Sequence, residues 1–189
     1  MGKGSVDMGK ITLVTGGSRG GKSKFAEGLL RDKDEVLYIA TAIVTDSEME
    51  DRIKKHRERR NQKWKTFEGY KDLHKAVEEY KEEYIMLDCV TIMMTNLMFE
   101  ENRDFDNISE EEVDNLFLYI KQQVEALILR VRELDRNLVL VTNEVGYGLV
   151  PEYKLGRIFR DIAGSINQHI GSLSDEVYLV ACGIPLKLK

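Results

Sequence analysis

Cysteine is scarce in this chain, with only two in 189 residues, and Cys89 and Cys182 lie in apolar runs far apart in sequence. Neither has a partner at the spacing of a zinc site or a disulfide framework, so a reducing cytoplasm is the expected compartment. Long apolar runs are missing as well. No stretch approaches the roughly 20 residues needed to cross a bilayer, and the N-terminus lacks the apolar core of a signal peptide. Nor is there an excess of positive charge: 28 basic residues face 33 acidic ones, for a net charge of -5. That balance argues against a general nucleic-acid-binding surface and confines any basic site to a local patch. Internal repeats and low-complexity tracts are absent too.

What remains, at 42% hydrophobic residues, suits one domain with a single core large enough for a sheet of several strands. The polar opening Met1 to Asp7 precedes a second methionine, Met8. Residues 1–9 are therefore expected to be a tail, disordered or left over from expression, and residues 10–189 a single nucleotide-binding domain. Short β-branched runs alternate with longer segments of helical period, the pattern of a parallel sheet covered by helices. Strands are predicted at 11–15, 36–40, 84–89, 138–142 and 177–181, with a weaker one at 64–67. Helices are predicted near 22–31, 47–62, 71–79, 91–100, 110–132 and 153–170. Ser109 followed by Glu110, Glu111 and Glu112 marks the start of the longest helix, with acidic groups at the positive end of its dipole.

The most informative motif joins the first strand to the first helix: Gly16, Gly17, Ser18, Arg19, Gly20, Gly21, Lys22 and Ser23. This G-x-x-x-x-G-K-S run sits between a strand and a helix, the context a phosphate-binding loop requires. Its glycines let successive N–H groups turn toward phosphate oxygens, Lys22 is placed to reach the β and γ phosphates, and the Ser23 hydroxyl is placed as a Mg²⁺ ligand. Asp88 closes an apolar strand and is the candidate carboxylate for the same ion. Asn143 and Glu144 fall at the end of another strand, on the edge where open α/β sheets bind ligands; an ordinary polar loop is an equal reading for them.

A second feature is the basic run from Arg52 to Arg60 in an otherwise acidic protein. Helical spacing places Arg52, His56 and Arg60 on one face, at i, i+4 and i+8. Cationic neighbours disfavour the imidazolium, so His56 is expected to be neutral near pH 7, the state in which a ring nitrogen can attack phosphorus. A solvated helix face is the plainer reading of such a run.

Taken in order, these segments resemble the bifunctional adenosylcobinamide kinase and adenosylcobinamide-phosphate guanylyltransferase family of cobalamin biosynthesis. The resemblance runs from Val14 through Ser23, Tyr38 to Thr41, Arg52 with His56 and Arg57, Asp88 to Thr91, and Thr95 to Leu97. It continues with Thr142 to Gly146, Val150 to Glu152 and Phe159 to Gln168. It implies a RecA-like P-loop NTPase fold of the α/β class, with a mostly parallel sheet and helices on both faces. It also implies a homotrimer, Mg²⁺ as cofactor, a corrinoid acceptor, and GTP or ATP as substrate. On the same resemblance His56 is the nucleophile that takes GMP from GTP. Thr41, Ala42, Ile43, Arg57, Glu58, Arg59, Arg60 and Glu68 match guanine-nucleotide contacts, while Lys22, Ser23 and Asp88 match the phosphate and metal positions. Two departures, Gly20 for a more usual serine and Asn61 where proline often follows the arginine, remove no reactive group but bear on where Arg60 sits. The alternatives are a P-loop small-molecule kinase without nucleotidyl transfer and a nucleotide-sensing GTPase. Against the latter, the chain has no N-K-x-D run.

Overall fold

Ile11–Thr15 form β1, which is buried at every residue, as expected of a run that is apolar on both faces and central in a sheet. The computed structural model describes residues 9–43 and 61–189. After β1 come α1 (Lys22–Leu29), β2 (Val36–Ala40), β3 (Lys65–Glu68), α2 (Leu73–Glu79), β4 (Tyr84–Asp88) and α3 (Val90–Met98). Then follow α4 (Glu110–Glu133), β5 (Asn137–Val141), α5 (Lys154–Leu173), β6 (Glu176–Ala181) and β7 (Ile184–Lys187). The expected helix at 47–62 falls almost wholly outside the described residues.

The strands make one seven-stranded sheet in the order β3-β2-β4-β5-β1-β6-β7, parallel except for β7. One strand, β5, therefore separates the strand that leads into the phosphate loop from the strand that ends in Asp88. Helices cover both faces. On one, Val14, Val36, Tyr38, Met86, Val139 and Val141 pack with Ala26 and Leu30 of the α1 segment and with Trp64. On the other, Ile11, Leu13, Ile39, Ile85, Leu87 and Leu140 meet the apolar faces of α2 to α5. The alternation of β1 residues between the two clusters is the period-2 pattern of a strand buried from both sides. This is an α/β P-loop NTPase fold.

Local chemistry accounts for the longest helix. Ser109 accepts from the Glu112 N–H and the Glu112 carboxylate accepts from the Ser109 N–H, a complete capping box. Leu116, Ile120, Val124, Leu127, Ile128 and Val131 then fall on one buried stripe.

The six strands read from the sequence are present with ends shifted by a residue or so, whereas β7 was not foreseen. Its four residues are all exposed, include Pro185, and among the described residues pair with β6 alone. A short edge strand carries no burial pattern, and proline is tolerated there because one side of it needs no N–H donor. Two residues near the ends of the chain are also placed. Gly9, assigned to the tail, is buried and donates its N–H to Asp135 Oδ1 at 2.7 Å. Cys182 follows the predicted strand 177–181 and lies exposed in the turn between β6 and β7, with φ of 53°.

Candidate functional site

Because β1 to β6 run parallel, their carboxyl ends share one edge of the sheet, and the chain leaves β1 and β5 in opposite directions across it. Such a reversal opens a crevice at the strand ends. The loop Gly16–Ser23 fills this position.

Its shape follows from close contacts with neighbouring strands. Gly16 has φ of 149°, and a Cβ there would lie 2.2 Å from the Val180 carbonyl oxygen of β6, so only glycine fits. The Gly16 carbonyl accepts from the Glu144 N–H at 3.0 Å, and the Gly17 carbonyl from the Gly20 N–H at 3.1 Å. The first helical bond of α1 runs from the Phe25 N–H to the Gly21 carbonyl, and Gly21 caps the helix without a side chain. The amides of Lys22, Ser23 and Lys24 thus have no intrahelical acceptor and face the crevice as the positive end of the helix, an arrangement that suits an anion.

Lys22 is buried, and its ammonium donates to the Gly17 carbonyl at 2.7 Å. Burial lowers its pKa below the usual lysine value, while the negative charge of Asp88 acts in the opposite sense. A buried ammonium held by a loop carbonyl is readily redirected to a phosphate, the stronger acceptor.

Asp88 closes β4, half-buried, and its Oδ2 accepts from the Tyr38 hydroxyl at 3.0 Å. Tyr38 was not singled out for this role by sequence. It lies on β2 beside β4, and only the register Tyr38↔Met86 and Ala40↔Asp88 brings hydroxyl and carboxylate together. Ser23 is in the first turn of α1, half-buried. A serine hydroxyl and an aspartate carboxylate are hard oxygen donors, the type Mg²⁺ prefers. Among the described residues no group of three or more His, Cys, Asp or Glu could hold a metal. A cation at this edge would therefore take most of its ligands from phosphate and water.

Beyond Asp88 the edge is stitched by a polar network. Thr41 Oγ1 donates to the Cys89 carbonyl at 2.8 Å and accepts from the Cys89 N–H at 2.9 Å, while the Thr41 carbonyl accepts from Asn96 Nδ2 at 2.7 Å. The Thr41 side chain is thus engaged in joining β2 to β4. Asn143 Nδ2 donates to Thr91 Oγ1 at 2.6 Å, and Thr91 Oγ1 lies 3.2 Å from Cys89 Sγ. Burial, with Asp88 adding to it, pushes the Cys89 thiol pKa up, which keeps it protonated and inert. Asn167 of α5 donates to the Asn143 carbonyl at 3.1 Å and accepts from Thr142 Oγ1 at 2.7 Å. Asn143, Thr91 and Asn167 thus hold the ends of β4 and β5 to their following helices.

The remaining candidates separate into two groups. Ala42 and exposed Ile43 follow β2, and exposed Glu68 ends β3 opposite Ala40. They lie three and four strand positions from β1, roughly 14 to 19 Å along the sheet at about 4.8 Å per strand. The phosphate loop and the expected guanine contacts therefore occupy different parts of one edge. His56, Arg57, Glu58, Arg59 and Arg60 lie outside the described residues.

Residues 12–188 match the family described as cobinamide kinase / cobinamide phosphate guanyltransferase. The chain is 43% identical over 181 residues to the bifunctional adenosylcobalamin biosynthesis protein CobU of Escherichia coli K12, covering 95% of this chain and 99% of that one. It is 42% identical over 183 residues to the CobU protein of Salmonella typhimurium LT2, with the same coverage. With the protein of the same description from Pseudomonas aeruginosa, CobP, it shares 34% identity over 180 residues, 94% of this chain and 96% of that one.

Proposed function

The chain belongs to the cobinamide kinase / cobinamide phosphate guanylyltransferase family, and from that premise we infer that it is a kinase and guanylyltransferase of adenosylcobalamin biosynthesis. It phosphorylates adenosylcobinamide with a nucleoside triphosphate, then transfers GMP from GTP to the phosphorylated product to give adenosylcobinamide-GDP. The observation that carries this reading is the loop Gly16–Ser23, with its uncapped helix amides and buried Lys22, at the same sheet edge as Asp88.

In the kinase reaction the loop amides and Lys22 hold the triphosphate so that the acceptor hydroxyl attacks the γ phosphorus in line. The hydroxyl loses its proton, the bond from phosphorus to the bridging oxygen breaks, and the nucleoside diphosphate leaves. Lys22 exchanges the Gly17 carbonyl for a phosphate oxygen and offsets the charge that builds there. Ser23 and Asp88 would hold Mg²⁺, which neutralises charge on the phosphates when bound.

In the second reaction a neutral nitrogen of His56 attacks the α phosphorus of GTP, pyrophosphate leaves, and a phosphoramidate remains on the ring. A phosphate oxygen of adenosylcobinamide phosphate then attacks the same phosphorus and frees His56. The basic run supports this role, because Arg52, Arg57, Arg59 and Arg60 supply charge for the polyphosphate and disfavour the imidazolium. Thr41 to Ile43 and Glu68 serve the guanine nucleotide, away from the phosphate loop. The same reading makes the enzyme a cytoplasmic homotrimer with residues 10–189 as one domain, a subunit count that sedimentation equilibrium would measure.

The test uses GTP labelled at the α phosphate. Incubated with Mg²⁺, the wild-type protein acquires an acid-labile label that His56→Ala lacks while still phosphorylating adenosylcobinamide. An unlabelled wild-type protein, or a His56→Ala protein labelled as well as wild type, refutes the histidine route.

A further inference from the structure

The β6–β7 hairpin lies against the phosphate loop and is joined to it by a backbone hydrogen bond. Cys182 and Gly183 form its two-residue turn, flanked by the pair Ala181↔Ile184, with φ of 53° and 77°. Two successive positive φ angles are those of a type I′ turn, whose twist matches antiparallel strands. The Gly183 N–H donates to the Gly20 carbonyl at 2.9 Å. A Cβ added to Gly21 would come within 3.0 Å of the Gly183 Cα, so turn and loop are in close contact.

Peptide planarity gives this bond a directional consequence. The Gly20 carbonyl and the Gly21 N–H belong to one trans peptide and point in opposite directions. Anchoring the carbonyl on the hairpin turns the Gly21 N–H away from it, toward the open side of the loop. On the other flank, the Glu144 N–H holds the Gly16 carbonyl at 3.0 Å and directs the Gly17 N–H in the same manner. The two anchors come from the connections that follow β5 and β6, the strands on either side of β1.

We propose that the Cys182–Gly183 turn is a positioning element for the phosphate loop, and that the Gly183 N–H sets the Gly20–Gly21 peptide so that its amide is presented to the triphosphate. The proposal rests on the reading that this loop holds the triphosphate. It gives β7 a function: the strand closes the hairpin that carries the turn. A cradle built from glycines has little rigidity of its own, since each glycine peptide can rotate, and fixed amides bind an anion without reorganising. Gly20 and Gly21, like Gly16 and Gly17, are adjacent glycines in this chain, so each external anchor bears on a readily rotated glycine–glycine peptide of the loop.

The N–H can be deleted without altering any side chain. Cys182 permits native chemical ligation of residues 1–181, as a thioester, to a synthetic peptide of residues 182–189. Glycolic acid in place of Gly183 replaces the amide by an ester, and ligation regenerates the full-length chain. The comparison proteins are the all-amide ligation product and one with leucic acid in place of Leu188, which deletes the hairpin bond from the Leu188 N–H to the Val177 carbonyl, 2.8 Å long. The probe is magnesium α,β-methylene GTP, whose α–β bond His56 cannot cleave, titrated by calorimetry.

The Gly183 ester should raise Kd roughly five- to tenfold, the effect of one hydrogen bond. The Leu188 ester should lower the melting temperature comparably and leave Kd within about twofold of the all-amide protein. Equal weakening by both esters, or no weakening by the Gly183 ester, overturns the proposal. Lys22→Met in the full chain separates it from the underlying reading. If that variant binds the probe as wild type does, the loop is not the phosphate site and both readings fall. If it loses affinity while the Gly183 ester does not, only the positioning role falls.

Discussion

Replacing Lys22 by methionine should abolish the stabilisation that nucleotide confers while leaving the unliganded protein nearly as stable as before. The side chain is 7% exposed, so a methionine of similar length fills the same space, and volume-conserving exchanges in packed sites typically change stability by less than about 1.5 kcal/mol. Two opposing effects operate on the polar end. The bond from Lys22 to the Gly17 carbonyl is lost, which for a charged donor is about 1.5–3 kcal/mol. The burial that lowers the lysine pKa is also relieved, and exchanging a buried ion for an apolar group is often neutral or stabilising. The unliganded melting temperature should therefore move by no more than about 2–4 °C, the equivalent of roughly 1 kcal/mol in a chain of this size. Ligand behaves differently. At one hundred times its Kd a ligand stabilises by about 2.7 kcal/mol, which corresponds to roughly 5–11 °C here. Scanning fluorimetry with magnesium α,β-methylene GTP at that wild-type concentration should show the shift in wild type and almost none in Lys22→Met. The pH dependence has a definite sign. With the folded pKa below the unfolded value of 10.5, the unfolded chain binds more protons, so wild type gains stability relative to the variant as pH rises through the folded pKa toward 10.5. A variant that keeps the ligand shift, or one that loses many degrees without ligand, would refute the reasoning.

Gly16→Ala places a Cβ 2.2 Å from the Val180 carbonyl oxygen at φ of 149°, and should lower stability by roughly 2–4 kcal/mol. Urea denaturation followed by the fluorescence of Trp64, the single tryptophan, measures it. Ser109→Ala breaks the capping box of α4 and should remove about 1 kcal/mol without altering nucleotide Kd, as paired denaturation and calorimetry would verify. Glu176 accepts from Lys187 and Lys10, and these bonds lower its pKa from 4.5 to about 2. Its contribution is present in full above the unfolded pKa and lost as pH falls through the folded one. The stability difference between wild type and Glu176→Gln should be constant from pH 6 to 8, shrink as pH falls below about 4.5 and vanish only near pH 1, below the folded pKa of about 2; a difference that grows on acidification contradicts the assignment.

Local chemistry made much of this molecule legible in one dimension. The run Ile11–Thr15 followed by four glycines, Lys22 and Ser23 specifies strand, turn and helix by burial, φ freedom and an uncapped helix start, all short-range properties. Ser109 and Glu112 specify the start of α4 in the same way. The basic run around His56 and the ordered motifs after it likewise mark the family without reference to a fold. Other features depend on neighbours that sequence separation hides. The Tyr38 hydroxyl reaches Asp88 only through the register of β2 on β4. The threonine and asparagine network at the strand ends is long-range, and Thr41, expected at a nucleotide, has its hydroxyl committed to the Cys89 backbone. The short exposed strand β7 has no burial pattern of its own, so its pairing, and the contact of Gly183 with Gly20, became visible only in three dimensions. A glycine loop is recognisable from its sequence because its flexibility is written in its residues, whereas the direction of each peptide is decided by hydrogen bonds from strands distant in the chain.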